Sequence, residues 1–174
     1  VYDNAVVPFI PSIYRDTVVC YSYSKSLSMP GERIGYVCIP DTVTDSALLF
    51  AAVAGASRAC GHVCAPSMMQ LVIARATALR PDLAAYDQNR SLLYNALTEM
   101  GYDCVKPQGA FYMMVKSPNG DSRAFSELAK RENLLIVPAD TFGCPGFCRV
   151  STCVDPDMIR RSLPAFKKVI EEMR

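Results

Sequence analysis

Lys25 sits in a hydroxyl-rich turn, Tyr21-Ser22-Tyr23-Ser24-Lys25-Ser26-Leu27-Ser28, and Arg33 follows just before a second apolar run that begins at Ile34. The apolar residues 17–20 read as a strand that ends at this turn. Hydroxyls, backbone N–H groups and two cations then fall in one small region, which suits a phosphorylated ligand. A lysine that is desolvated or flanked by cations can form an imine with a carbonyl compound, so these residue types allow covalent capture beside an anion site. The same turn also reads as a solvated loop whose serines supply turn hydrogen bonds, and spacing alone leaves both readings open.

The elements that would position this turn are short. Residues 17–23 and 33–39 read as two buried strands, and their near-continuous hydrophobicity suits a parallel or mixed sheet covered on both faces. Residues 1–16, interrupted by Pro8 and Pro11, read as an irregular connection. Asp41 or Thr42 is placed to cap a helix through residues 47–54, which is apolar nearly all round and so is expected to be buried on several sides. Further helices are expected over residues 67–79 and 82–100. The second has Pro81 in its first turn, Gly101 as its stop, and Tyr86, Leu93, Leu97 and Met100 on one face. Strands at 102–106 and 110–116, joined by Pro107-Gln108-Gly109, come next, then a helix at 122–133 and strands at 134–137 and 147–150. Asp155-Pro156 opens a last helix with an apolar stripe at Ile159, Leu163, Phe166, Ile170 and Met173, where Pro164 is expected to kink or interrupt the ladder. The pattern predicts an α/β chain with a mixed, mostly parallel sheet in residues 1–81 and an α+β unit in residues 82–174.

Composition narrows the function classes. Eighteen cations face seventeen anions, a formal net charge of +1, and without long single-sign runs this excludes a nucleic-acid footprint. The longest uncharged run, residues 59–74, contains Gly61 and Pro66 and is shorter than the about 20 residues that span a bilayer, so no membrane segment is expected. The eight cysteines fall mostly in apolar stretches and read as buried free thiols of a reducing cytoplasm. Cys60, His62 and Cys64, and Cys144 with Cys148, lack the paired spacing of zinc sites, and no metal is expected. The pairs Met68-Met69 and Met113-Met114 read as core filler.

Three stretches carry a resemblance. Ser22-Tyr23-Ser24-Lys25 followed by Gly31-Glu32-Arg33-Ile34-Gly35-Tyr36 closely resembles the cofactor-lysine region of class I/II aminotransferases, the aspartate-aminotransferase-like branch of fold-type I pyridoxal-phosphate enzymes. Pro107-Gln108-Gly109-Ala110-Phe111-Tyr112 is similar to the strand motif of that family's small domain. Phe142-Gly143 through Gly146-Phe147-Cys148-Arg149-Val150-Ser151 is similar to the stretch with its substrate-binding arginine.

The resemblance implies that Lys25 holds pyridoxal 5'-phosphate through an imine and later moves the substrate proton. It assigns Ser22, Ser24 and Arg33 to the cofactor phosphate and Arg149 to the substrate α-carboxylate; Arg33 could instead pair with Glu32. Arginine forks suit both anions, since charge-assisted bonds are worth roughly 1.5–3 kcal/mol each. The implied activity moves an amino group between an amino acid and a 2-keto acid in a homodimeric full-length protein. A lyase or synthase on the same fold and a non-catalytic fragment are the rival expectations. Tyr36 and Phe142 are expected to line the site without a chemical role. Because family members are about twice as long and the sequence begins abruptly at Val1, the chain is expected to be a C-terminal fragment, inactive alone. It would hold the end of the large cofactor domain, residues 1–81, and the small domain, residues 82–174.

Overall fold

The polar residues around Lys25 break two apolar runs, and in the computed structural model, which describes all of residues 1–174, each run becomes a short strand. The chain divides into two units, residues 6–81 and residues 1–5 with 82–174. In the first, strand β1 (Val19–Ser22) leads straight into the one-turn helix α1 (Tyr23–Ser26), and β2 (Gly35–Cys38) returns beside β1. The α/β class stands, but the orientation and burial expected of these strands do not. They are antiparallel, paired from Val19↔Cys38 to Ser22↔Gly35, and all but one of their residues are exposed. A parallel return needs a crossover of a dozen or more residues. Here the connection is spent on α1 and a turn that closes with the Tyr23 N–H donating to Ile34 O at 3.1 Å.

Helix α2 (Ser46–Ala59) begins after Asp45 rather than Asp41 or Thr42, because residues 40–46 form consecutive turns, with Val43 N–H donating to Pro40 O and Ser46 N–H to Val43 O. It was expected to be buried on several sides, yet none of its residues is buried, and Leu48 and Phe50 are 71% and 64% exposed. An all-apolar helix shows what it can bury, not what this chain provides to cover it. Helix α3 (Ser67–Ala76) turns Met69 and Ile73 onto Ile34 to form the unit's small core. Met68, its neighbour, faces out, so only one of that pair is core filler. The thiols differ as well: Cys148 alone is buried, Cys104 is intermediate and the other six are exposed, all of them free. Their apolar neighbours lie largely on the exposed strands and helix ends of this chain.

The second unit is built on strict alternation. In β4 (Tyr112–Lys116) and β6 (Phe147–Ser151) every second side chain is buried, and the antiparallel register Tyr112↔Ser151 to Lys116↔Phe147 puts Met113, Val115, Cys148 and Val150 on one face. Short strands β3 (Cys104–Val105) and β5 (Val137–Pro138) flank them in the order β3-β4-β6-β5, with every pair antiparallel. Helices α4 (Leu83–Glu99), α5 (Ser122–Arg131) and α6 (Pro156–Met173) supply Leu93, Leu97, Phe125, Ala129, Ile159, Phe166, Val169 and Ile170 to the same core.

Aspartates cap all three helices: Asp82 accepts from Ala85 N–H, Asp121 from Arg123 and Ala124 N–H, and Asp155 from Asp157 N–H. Each such cap is worth about 1 kcal/mol. Pro81 therefore precedes the cap of α4 and does not enter its first turn. At the other end Gly101, at φ +92°, allows the Tyr102 N–H to reach Leu97 O and its own N–H to reach Thr98 O, a Schellman closure that only a left-handed residue permits. Pro164 does not interrupt α6. Its ring removes one helical donor, and nearby the Ser162 hydroxyl donates to Ile159 O at 2.7 Å.

Residues 1–5 join this unit through Arg90, an α4 side chain only 2% exposed. Its guanidinium makes two 2.8 Å bonds to the Asp3 carboxylate. That pairing pulls the Asp3 carboxyl below its ordinary 3.8, to about 2.

Two outcomes follow from this packing. Leu97→Ala should cost about 2–5 kcal/mol of stability through the cavity it leaves, whereas Leu48→Ala should change it by less than about 0.5 kcal/mol; urea unfolding of the chain measures both. Because the Asp3 pKa is lowered on folding, the bond it makes to Arg90 is fully present above the ordinary value of 3.8 and is lost as the pH falls toward about 2. Amide exchange of residues 1–5 should therefore stay slow down to the usual carboxylate range and accelerate only below it.

Candidate active site

The residues around Lys25 are brought together by the β1–β2 register. Ser22 ends β1 and caps α1, its hydroxyl accepting from Ser24 N–H at 3.3 Å and donating to Ser24 Oγ at 3.0 Å. Ser24 is buried, and Lys25 follows it in the same turn on the exposed side. Across the pair, Ser22 faces Gly35, so Arg33 enters the same end of the sheet from the other strand. Arg33 is exposed, adopts φ +51°, donates from Nη1 to Pro30 O at 2.9 Å, and takes no part in any of the chain's ion pairs. The alternative pairing with Glu32 is thus not made.

This end of the sheet is held by close packing. Tyr21 stacks on its cross-strand partner Tyr36 at 5.2 Å, and Tyr23 meets Tyr21 edge-on at 5.2 Å. Tyr36 therefore supports the turn. Gly35 is required for the approach: a Cβ there would lie 2.3 Å from the Tyr21 carbonyl oxygen. Beside Lys25, the Ser26 hydroxyl oxygen is buried and bonds nothing within the chain.

Arg149 belongs to the other unit. The β4–β6 register opposes it to Met114 and puts it, with Tyr112, on the sheet face turned away from the helices. Its guanidinium carbon lies 4.3 Å from the Tyr112 ring centre and 4.5 Å from that of Phe142. Two aromatic faces thus hold the cation by attraction to their quadrupoles while no carboxylate pairs with it. A guanidinium stacked in this way keeps its edge donors available to a planar anion. Composition did not reveal this role for Tyr112 and Phe142; the parity of the two strands would have revealed it for Tyr112.

In residues 6–81 the lysine, hydroxyls and uncompensated arginine at one strand end are donors suited to a phosphate, and in the other unit the aromatic-held Arg149 is a donor suited to a carboxylate. The chain matches the family model described as aminotransferase class I and II over residues 5–166.

The chain belongs to the class I and II aminotransferases.

Among curated members of the family, an aromatic-amino-acid aminotransferase of Thermococcus litoralis is 26% identical over all of this chain and 47% of its own length, and an aspartate aminotransferase of Pyrococcus abyssi gives the same figures. A crystal structure of an amino transferase from Eubacterium rectale superposes with a TM-score of 0.91 at 57% identity, covering all of this chain and 44% of that one. The aromatic aminotransferase of Pyrococcus horikoshii gives a TM-score of 0.77 at 27% identity over 98% of this chain and 48% of its own. The chain spans about half the length of these aminotransferases. Pyridoxal phosphate is the general cofactor of the family.

Gly35→Ala should force β1 and β2 apart, at a cost of about 1–3 kcal/mol typical of overpacking. Amide exchange across residues 19–22 and 35–38 would report it, and unchanged protection there would refute the close approach.

Proposed function

We propose that this chain supplies the lysine, the phosphate-binding residues and the carboxylate-binding arginine of a pyridoxal-phosphate-dependent aminotransferase that exchanges an amino group between an amino acid and a 2-keto acid. The observation that carries the reading is the strand register that sets Lys25 and Arg33 at one end of β1–β2, with Arg33 paired to no carboxylate. The buried, unpartnered Ser26 hydroxyl beside Lys25 fits a site that takes up a polar group.

When bound, pyridoxal phosphate supplies the carbonyl that captures amines and the ring that accepts electrons. Ser22, Ser24 and Arg33 would hold its phosphate, the arginine as a fixed fork that cannot lose its charge. Lys25 is the amine that would bond the cofactor and, once released, take the proton from the substrate Cα, the work of a general base. Arg149 would fix the substrate by its α-carboxylate, and the rings of Tyr112 and Phe142 against its guanidinium limit the planes its fork can adopt. Curated relatives are named for aspartate, aromatic amino acids and prephenate, and an α-carboxylate for Arg149 is common to amino and 2-keto acids. The proposal extends to a homodimer in the full-length protein, supported by the outward apolar residues of α2. It extends as well to the cytoplasm, supported by the exposed unbridged thiols.

Adding pyridoxal phosphate to the chain should produce imine absorbance that Lys25→Ala abolishes and Arg33→Ala weakens. Equal spectra for the chain and Lys25→Ala would overturn the assignment of the lysine.

A further inference from the structure

The Arg90 guanidinium makes four hydrogen bonds and one further ion-pair contact. Nε donates to Asp87 at 2.9 Å, Nη1 to Asp3 at 2.8 Å and to the Pro107 carbonyl at 2.7 Å, and Nη2 to Asp3 at 2.8 Å, while the Asp87 carboxylate also lies 2.6 Å from Nη2 as an ion pair. The guanidinium also lies 4.5 Å from the Tyr2 ring centre. Tyr2, 6% exposed, continues along the same loop: its N–H donates to Gln108 O at 2.8 Å and its hydroxyl to Ala110 O at 2.5 Å. Three carbonyls of the 107–110 segment are therefore gripped from one side by Arg90 and Tyr2.

That segment needs the grip. Ala110 is at φ +55°, a left-handed conformation that a residue with a Cβ adopts at a cost and keeps only when its surroundings fix it. Immediately after it, Phe111 O accepts from the Thr152 N–H at 2.8 Å and the Thr152 hydroxyl at 3.2 Å, and Tyr112 begins β4 with its ring on Arg149. Asn89, next to Arg90 on α4, donates to Thr152 O at 3.1 Å and Val154 O at 2.7 Å, which fixes the end of the strand that carries Arg149.

We propose that Tyr2, Asp3 and Arg90 are positioning residues for Arg149: they lock the strained Ala110 turn so that Tyr112 presents its ring to the guanidinium and sets the plane in which it meets a carboxylate. The inference rests on the reading of Arg149 as the carboxylate site. None of the three residues needs to touch substrate. The strain at Ala110 supplies the reason for a clamp, and the Tyr2 hydroxyl is its last link.

The test uses the isotope-labelled chain, the variants Tyr2→Phe, Asp3→Asn and Arg149→Lys, and pyruvate as probe. Without pyruvate, Tyr2→Phe and Asp3→Asn should shift the Arg149 Nε–Hε resonance and speed exchange of the Thr152 amide. With it, Tyr2→Phe should weaken pyruvate binding about fivefold, the loss of one ordinary hydrogen bond. A role in stability alone would lower the unfolding midpoint and leave the Arg149 resonance where it is. Unchanged Arg149 and Thr152 signals in both clamp variants would overturn the proposal. Equal pyruvate binding by the unsubstituted chain and Arg149→Lys would instead overturn the carboxylate role of Arg149, and the probe-free signals would still decide the clamp.

Discussion

A buried guanidinium cannot escape its charge by losing a proton, so it must be met by partners on every donor or it destabilises the fold that encloses it. Arg90 imposes this constraint on the larger unit. One partner, Asp87, is local to α4; the others, Asp3 and the Pro107 carbonyl, come from distant parts of the chain. Satisfying the side chain therefore requires the first residues of the chain and the loop before β4 to be in place together. Asn89 makes a parallel demand on the segment after β6. Two adjacent helical residues thus tie down the chain on both sides of the sheet that carries Arg149.

The two units handle apolar surface differently. The larger one gathers residues from three helices and the strands β3, β4 and β6 into a single core that includes Phe125, Met113 and Val169, all without measurable exposure. Residues 6–81 have a core of only Ile34, Met69 and Ile73, with a few partly buried neighbours, and leave Leu48, Phe50, Leu71 and Val63 largely exposed. Surface of that kind is suited to contact with protein. The local order at Lys25 comes instead from the stacked tyrosines and the close strand approach at Gly35.

What the sequence made legible was local. Asp155-Pro156 marked the start of the last helix and Gly101 the stop of another, and strands were expected where β4 and β6 lie, because each depends on neighbours a few residues away. Orientation and burial were less legible. The apolar runs at β1, β2 and α2 state a capacity for burial, and only the tertiary structure shows whether it is used. The Lys25 turn and Arg33 could be found by residue type, whereas the aromatic hold on Arg149 depends on a cross-strand register. The Arg90 network joins residues 87 positions apart, yet it left a trace: Arg90 lies on the Leu93 and Leu97 face of α4, where an arginine must bring its counter-charge from elsewhere.

The register of β1 and β2 also settles the geometry of two thiols. Cys38 stands opposite Val19 and Cys20 opposite Val37, and since successive side chains in a strand alternate in direction, the two sulfurs project from opposite faces of the same thin ribbon. An oxidant cannot close a bridge between them without turning a strand over. Both are exposed, so each is an independent attachment point: two spectroscopic labels at Cys20 and Cys38 would view the Lys25 turn from above and below while sharing one backbone ladder.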